Sequence, residues 1–259
     1  MNSLNVLLIL TFTSSLTVGC ASIETSTPGD PLESINRPIH KFNSQVDKAV
    51  LKPVAQGYTN LVAPEFRSCV GNFFANLDDV NSTVNHLLQG KLVGAFNDAC
   101  RVVLNSTVGL FGLVDAASEL GFRKTNDEDF GQTLGYWGVG SGPYLVVPFY
   151  GPSTLRDFTG RLVDGFLDPL ANHKPVDERL VGTAVNVVDT RARLMPATDL
   201  VDRIALDSYS FVRDAYLSRR ASQIRDGKPE DEEIEQAYPE MGASLMRRTQ
   251  MRSVVFKPF

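Results

Sequence analysis

Few residues in this chain are of a type and spacing that could do chemistry. Its three histidines, His40, His86 and His173, stand apart from one another, outside any H-E-x-x-H pattern or Cys/His cluster, so no metal site is expected. The nearest approach to a G-x-S-x-G nucleophile elbow, Gly151-Pro152-Ser153-Thr154-Leu155, lacks the second glycine. Asp127, Glu128 and Asp129 form a run of adjacent carboxylates, which reads as a solvated loop rather than an acid and base pair. Gly138-Val139-Gly140-Ser141-Gly142 lacks the Lys and the Ser or Thr that would complete a phosphate-binding loop. No catalytic residues, no enzyme activity and no cofactor are therefore expected.

The chemistry that remains belongs to the cysteines. Residues 4–18 are apolar or hydroxylic and carry no charge, and Gly19 and Cys20 follow at once. This segment is too short to span a bilayer, and its small-residue end is what a signal peptidase recognises. Thr17-Val18-Gly19-Cys20 resembles a bacterial lipobox, in which the cysteine thiol is alkylated with diacylglycerol before cleavage. Two departures are visible: Thr17 stands where Leu is usual, and no Lys or Arg precedes the apolar core. On this reading residues 1–19 are a signal peptide and Cys20 carries the lipid. Each buried methylene is worth ~0.8 kcal/mol, so two or more acyl chains anchor stably. Ala21 and Ser22, where an Asp would signal inner-membrane retention, favour the periplasmic face of the outer membrane. Cys69 and Cys100, 31 residues apart, are then an even pair in an oxidising compartment, either bridged or buried as free thiols.

Composition bounds the rest. The 259 residues are 43% hydrophobic and 21% charged, with a net charge of -5, enough apolar content for a folded domain and too acidic for a nucleic-acid partner. No uninterrupted apolar run reaches the ~20 residues of a spanning helix. A helical-bundle membrane protein is excluded, but other ways of sitting in a membrane are not.

The elements that must position these residues are mostly helical. Residues 20–29 are small and polar with Pro28, a flexible tether. Val70, Phe73, Leu77, Val80, Val84 and Leu87 follow helical spacing up to a stop at Gly90, and Leu92, Phe96, Ala99 and Val103 continue it in a second helix. Leu180, Ala184, Val187, Arg191 and Leu194 predict a helix ending before Pro196. Tyr209, Val212, Tyr216 and Arg219 share a face of a last long helix closed by Gly227. Each stripe reads as a core-facing surface. Residues 131–151 hold six glycines with Pro143 and Pro148, a turn-rich loop with room for a short hairpin, and the apolar run from Tyr144 to Phe149 reads as a short strand or extended segment. The domain is placed at residues 30–226, and residues 227–259, acidic and then basic, read as a solvated, mobile tail.

Five ordered motifs resemble the MlaA (VacJ) family of outer-membrane lipoproteins. They are Asp30-Pro31-Leu32-Glu33-Ser34-Ile35-Asn36-Arg37 with Phe42-Asn43; Asn72-Phe73-Phe74-Ala75-Asn76-Leu77 with Leu88-Gln89-Gly90-Lys91; residues 128–142 running into Pro143-Tyr144; Gly151 through Asp157; and Val212-Arg213-Asp214-Ala215-Tyr216 with Arg219-Arg220. Ser34-Ile35 departs from the Gly and aromatic usual there. The resemblance implies an all-α, ring-shaped assembly of amphipathic helices embedded in one leaflet, with a Gly-rich loop or short hairpin. It also implies removal of mislocalised phospholipid from the outer leaflet, through an amphipathic channel, to the periplasmic carrier MlaC, in association with a trimeric porin. Asn36, Arg37 and Phe42 would then belong to a segment controlling access, and Gly131, Gly135, Gly138, Gly140 and Gly142 to a flexible element at the passage, with packing or helix capping as the alternative for each. A porin-associated structural lipoprotein that moves no lipid is the rival reading.

Overall fold

A computed structural model of the protein describes residues 30–125 and 127–228. The expected signal peptide and tether, Cys20, and all but the first two residues of the expected tail lie outside the described residues. Helix α1 (Glu33–Val46) passes through a π-helical turn (Asp47–Leu51) into α2 (Lys52–Leu61), and α3 (Pro64–Leu88) and α4 (Leu92–Thr107) follow. A short α5 (Ala116–Glu119) and α6 (Phe130–Tyr136) lead to an antiparallel hairpin of β1 (Tyr144–Val147) and β2 (Gly151–Thr154), in which Tyr144 pairs with Thr154 and Val147 with Gly151. Then come α7 (Leu155–Leu167), α8 (Val176–Ile204) and α9 (Ser208–Ile224). The fold is thus mostly helical with one small sheet. Among the described residues no helix is long and apolar enough to cross a membrane.

Local chemistry accounts for the element ends. Gly90 turns the chain between α3 and α4 at φ +73, a conformation costly for side-chain-bearing residues, while Lys91 N donates to His86 O at 2.9 Å. Asp129, Thr154 and Asp207 cap α6, α7 and α9 by accepting bonds from Gln132 N, Asp157 N and Tyr209 N. Two expectations need correction. Helix α8 does not stop before Pro196 but runs through it to Ile204. Arg191 donates to Asp47 at 2.6 and 2.8 Å and to Thr198 Oγ1 at 3.1 Å, tying the helix together across the proline. Nor is the glycine-rich stretch one loop: Gly131 and Gly135 lie inside α6, and the rest is a turn and the hairpin. Their lack of a side chain serves close packing. A Cβ on Gly160 of α7 would lie 2.3 Å from Gly131 N, so α6 and α7 touch backbone to backbone.

The packing closes on itself. Helix α1 lies on β1, β2 on α9, α9 on α6, α6 and α7 on α3, α3 on α8, and α8 on α2, which continues α1. The apolar core cluster is small, built on Tyr144, Val146 and Tyr209. Elsewhere the burial is inverted. The largest fully buried side chains are all polar, among them Gln132, Asn36, Asn85, Asp79, Asp98 and Asp189. On α4 the buried positions are Ala95, Asp98, Arg101 and Asn105, whereas Leu92, Phe96 and Val103, expected to face a core, are 68%, 67% and 61% exposed. Leu87 of α3 and Leu180, Val187 and Leu194 of α8 are likewise exposed. On α4 and α8 the stripes have the expected period but face outward, whereas on α9 Tyr209 and Tyr216 face the small core as expected. Each large apolar side chain left in water forgoes roughly 1.5–3 kcal/mol, so such a surface is built for an apolar surrounding.

Candidate functional site

Three groups of buried polar and charged side chains each join elements far apart in sequence. Between α3 and α4, Arg101 donates from Nε to Asp79 Oδ2 at 3.0 Å and from Nη1 to Ser118 Oγ at 3.0 Å and Phe122 O at 2.8 Å. Asp98 accepts from Ser82 Oγ at 2.7 Å and Thr125 Oγ1 at 3.0 Å, and its Oδ2 lies 2.9 Å from His86 Nδ1. Ser82, His86 and Asp98 are the three residue types of a nucleophilic triad, but they do not form a relay. The serine donates to the carboxylate, and the same imidazole nitrogen faces both, so no base stands ready to take a proton from Ser82. Burial works against the imidazolium, yet Asp98 and the neighbouring Glu128 outweigh it and hold His86 above its usual range.

The acidic run expected to be a solvated loop is mostly built in. Glu128 is buried, accepting from Gln89 Nε2 at 2.9 Å and Lys91 Nζ at 3.1 Å. Asp129 caps α6 and accepts two bonds from Arg220 of α9, at 2.6 and 2.9 Å. Asp127 alone remains at the surface, 2.8 Å from Lys124. The local pattern of charges conceals this, because the partners are 39 and 91 residues away.

Arg220 is the centre of the second group. Besides Asp129 it donates to both oxygens of Asp157 on α7, at 3.1 and 3.0 Å, and Asp157 also accepts from Tyr216 at 2.8 Å and from Arg156. Burial pushes the Asp157 carboxyl up, but these donors prevail and hold it at about 2. Beside them opens a polar cleft of about 280 Å³ onto which Asp164, Arg161 and Arg219 face. Asp78 of α3 reaches solvent, yet the protein around it, with Asp127 nearby, pushes its carboxyl up to about 6. That combination marks a carboxylate in a concave wall rather than on an open surface.

The third group ties α1 to the hairpin. Asn36 donates to Tyr144 O at 3.0 Å and accepts from Val146 N at 2.9 Å. One heptad on, Asn43 repeats the arrangement, donating to Val147 O at 2.9 Å and accepting from Phe149 N at 2.8 Å. Two side-chain amides thus serve β1 and its turn as a partner strand would. Phe42 meets Phe149 edge to face at 5.2 Å. Arg37 faces the other way, joined to Glu33 at 2.6 Å and to Asp207 at 2.8 and 3.1 Å, with its guanidinium 4.5 Å over the Tyr209 ring. Beneath it Tyr209 donates to Asp30.

The residues singled out in the sequence are therefore distributed. Asn36, Arg37 and Phe42 lie along α1, with Asn36 and Phe42 against the hairpin. Gly131 and Gly135 sit in the α6 seam, where a Cβ on Gly135 would meet Ile224 at 2.7 Å. Gly138 and Gly140 have open space around them, and Gly142 presses on Leu155 with φ +65. Cys69 and Cys100 are free thiols, both partly buried. Asn43 and Arg220 stand in the sequence only as motif residues, with no role assigned, and Arg101 and Asp98 went unnoticed. Their signal is a polar period of three to four, Asp98, Arg101 and Asn105, running on the face opposite the apolar stripe.

Similarity to known proteins extends over most of the described residues. Residues 28–223 match the family model described as MlaA lipoprotein. The chain is 36% identical over 230 residues to the intermembrane phospholipid transport system lipoprotein MlaA of Escherichia coli K12, covering 86% of this chain and 91% of that protein. It is 36% identical over 217 residues to the protein of the same name from Haemophilus influenzae, covering 81% of this chain and 86% of the other. A solved structure reported as "Structural basis for maintenance of bacterial outer membrane lipid asymmetry" superposes with a TM-score of 0.68 at 33% identity, over 77% of this chain and 99% of that one. The motifs read in order along the sequence, the helical architecture and these relatives agree: the chain belongs to the MlaA lipoprotein family.

Proposed function

We propose that the protein is an outer-membrane lipoprotein, anchored through Cys20 on the periplasmic face. In this reading it removes mislocalised phospholipids from the outer leaflet and passes them through an amphipathic channel to the periplasmic carrier MlaC. The observation that carries the reading is the inverted polarity of a closed circuit of helices. A phospholipid headgroup cannot cross hydrocarbon without polar partners, because burying its charges unpaired is prohibitive. A closed circuit of helices that leaves Leu92, Phe96 and Val103 exposed, while Asp79, Asp98 and Arg101 are satisfied inside the α3–α4 seam, supplies an apolar exterior for acyl chains around a polar interior. Helices shorter than a bilayer suffice for a protein that displaces one leaflet. The names of the relatives, which refer to intermembrane phospholipid transport, support the same reading.

The stretch from Gly138 to Gly142 suits a flexible element at the passage, since Gly138 and Gly140 meet nothing within 4 Å. The α1 segment carrying Asn36, Arg37 and Phe42 would influence access by fixing the hairpin. The purified protein with its trimeric porin should deliver intact phospholipid to the carrier, and release of lysolipid or fatty acid would instead indicate an enzyme. Co-purification with porin but no delivery would favour the structural lipoprotein. Firm outer-membrane retention of a Cys20→Ala protein would overturn the anchor.

A further inference from the structure

Helix α1 has two working faces. Asn36 and Asn43 point at the hairpin, while Arg37, His40, Lys41, Ser44 and Lys48 line a cleft of about 430 Å³ on another side, closed by the junction of α8 and α9. The cations there are not equivalent. Arg37 is committed to Glu33 and Asp207, and Asp207 is thereby neutralised. Lys41 and Lys48 are exposed and form no ion pair or hydrogen bond among the described residues. They lie seven residues apart, about 10 Å along a helix at ~1.5 Å per residue, on flexible stems that can converge on one anion. Between them Ser44 offers a hydroxyl, and across the cleft Ser208 does the same, 3.2 Å from His40 Nε2. Asp202 is the one cleft carboxylate not engaged by Arg37, which leaves the free groups with a net positive charge.

The rim adds a second requirement. Leu206, next in sequence to Asp207 of the cleft lining, is completely exposed. A polar anion site beside an apolar edge suits an amphiphile better than a free ion. We propose that this cleft binds the phosphate ester of a phospholipid headgroup, with Lys41 and Lys48 as its cationic ligands and the acyl chains lying over Leu206. This deepens the transport reading by naming a docking point beside the third group, and it rests on that reading for its role.

The test is calorimetric titration of the mature protein in nonionic micelles with dihexanoylphosphatidylglycerol and, separately, with inorganic phosphate. The short-chain lipid should bind, shift the His40 imidazole resonance, and weaken by about tenfold or more in a Lys41→Ala/Lys48→Ala variant, as losing two charge-assisted contacts requires. Leu206→Ser should weaken the lipid and leave any binding of inorganic phosphate unchanged. Equal affinity of the double-lysine variant and the parent would overturn the proposal. Inorganic phosphate binding as tightly as the lipid, indifferent to Leu206→Ser, would assign the cleft to free phosphate instead and also overturn it. Delivery to the carrier, measured in parallel, separates the two readings: a failed transport reading abolishes delivery with cleft binding intact, and a failed cleft leaves delivery intact with no binding.

Discussion

Replacing Arg220 by Met removes the charge that joins α9 to α6 and α7 while keeping a long apolar side chain in its place. The guanidinium is 10% exposed and the Asp157 carboxylate 4%, so the pair is buried, and breaking a buried pair by removing one partner costs about 3–5 kcal/mol. Tyr216 and Arg156 still hold Asp157, which places the expected loss near the lower end. A second route gives a similar figure. A carboxyl held at about 2, against an ordinary ~3.9, contributes about 3 kcal/mol to native stability at neutral pH. The sign follows from the direction: this stabilisation is complete above the unfolded value of ~3.9 and is lost as the pH falls towards about 2. In Arg220→Met the remaining burial drives Asp157 upward instead, so acidification relieves the variant. Urea unfolding in micelles, followed by the fluorescence of Trp137, should show a deficit of about 3 kcal/mol near pH 7 that shrinks to about 1 kcal/mol near pH 3. A deficit below ~1 kcal/mol near neutrality, or one independent of pH, would refute the assignment of Arg220 as the tie between these helices.

Other outcomes follow from the same geometry. Gly160→Ala places a Cβ 2.3 Å from Gly131 N and 2.9 Å from Phe130 C, backbone atoms that cannot step aside, and should cost about 3 kcal/mol or more by thermal unfolding. Because His86 is held above its ordinary ~6.5, its contribution is full below that value and fades as the pH rises through the raised one; unfolding midpoints should fall on going alkaline, and His86→Gln should flatten that slope. Asn43→Ala orphans Val147 O and Phe149 N, so amide exchange at the hairpin turn should speed up by about tenfold, with a loss of about 1–2 kcal/mol. Phe96→Asp on the outward face should leave helicity unchanged by circular dichroism but weaken membrane association by about 2.5–3.5 kcal/mol if that face meets hydrocarbon.

Much was legible in the chain before any coordinates. Apolar period and glycine stops located α3, α4 and α9 within a few residues, because both depend on neighbours three or four positions away. The same locality explains what was missed. Pro196 looks like a terminator until Arg191 is seen to reach across it to Thr198. Gly131 and Gly135 look like loop glycines until Gly160 and Ile224 are placed against them. Glu128 looks solvated until Gln89 and Lys91 arrive from the distant turn between α3 and α4.

By itself, the sequence determined that this chain is mostly helical, presents a lipobox-like cysteine and carries the ordered motifs of its family. Which face of each helix is the inside was decided only by the tertiary structure. A hydrophobic stripe defines a direction on a helix but not what medium lies there, and the same Leu92, Phe96 and Val103 serve equally as a core or as a lipid-facing surface. The choice is made when Asp98, Arg101 and Asn105 find partners across the seam, because buried charge is tolerable only where other chain segments supply its hydrogen bonds. Those segments meet only on folding, and so the polar face turns inward and the apolar one is left exposed.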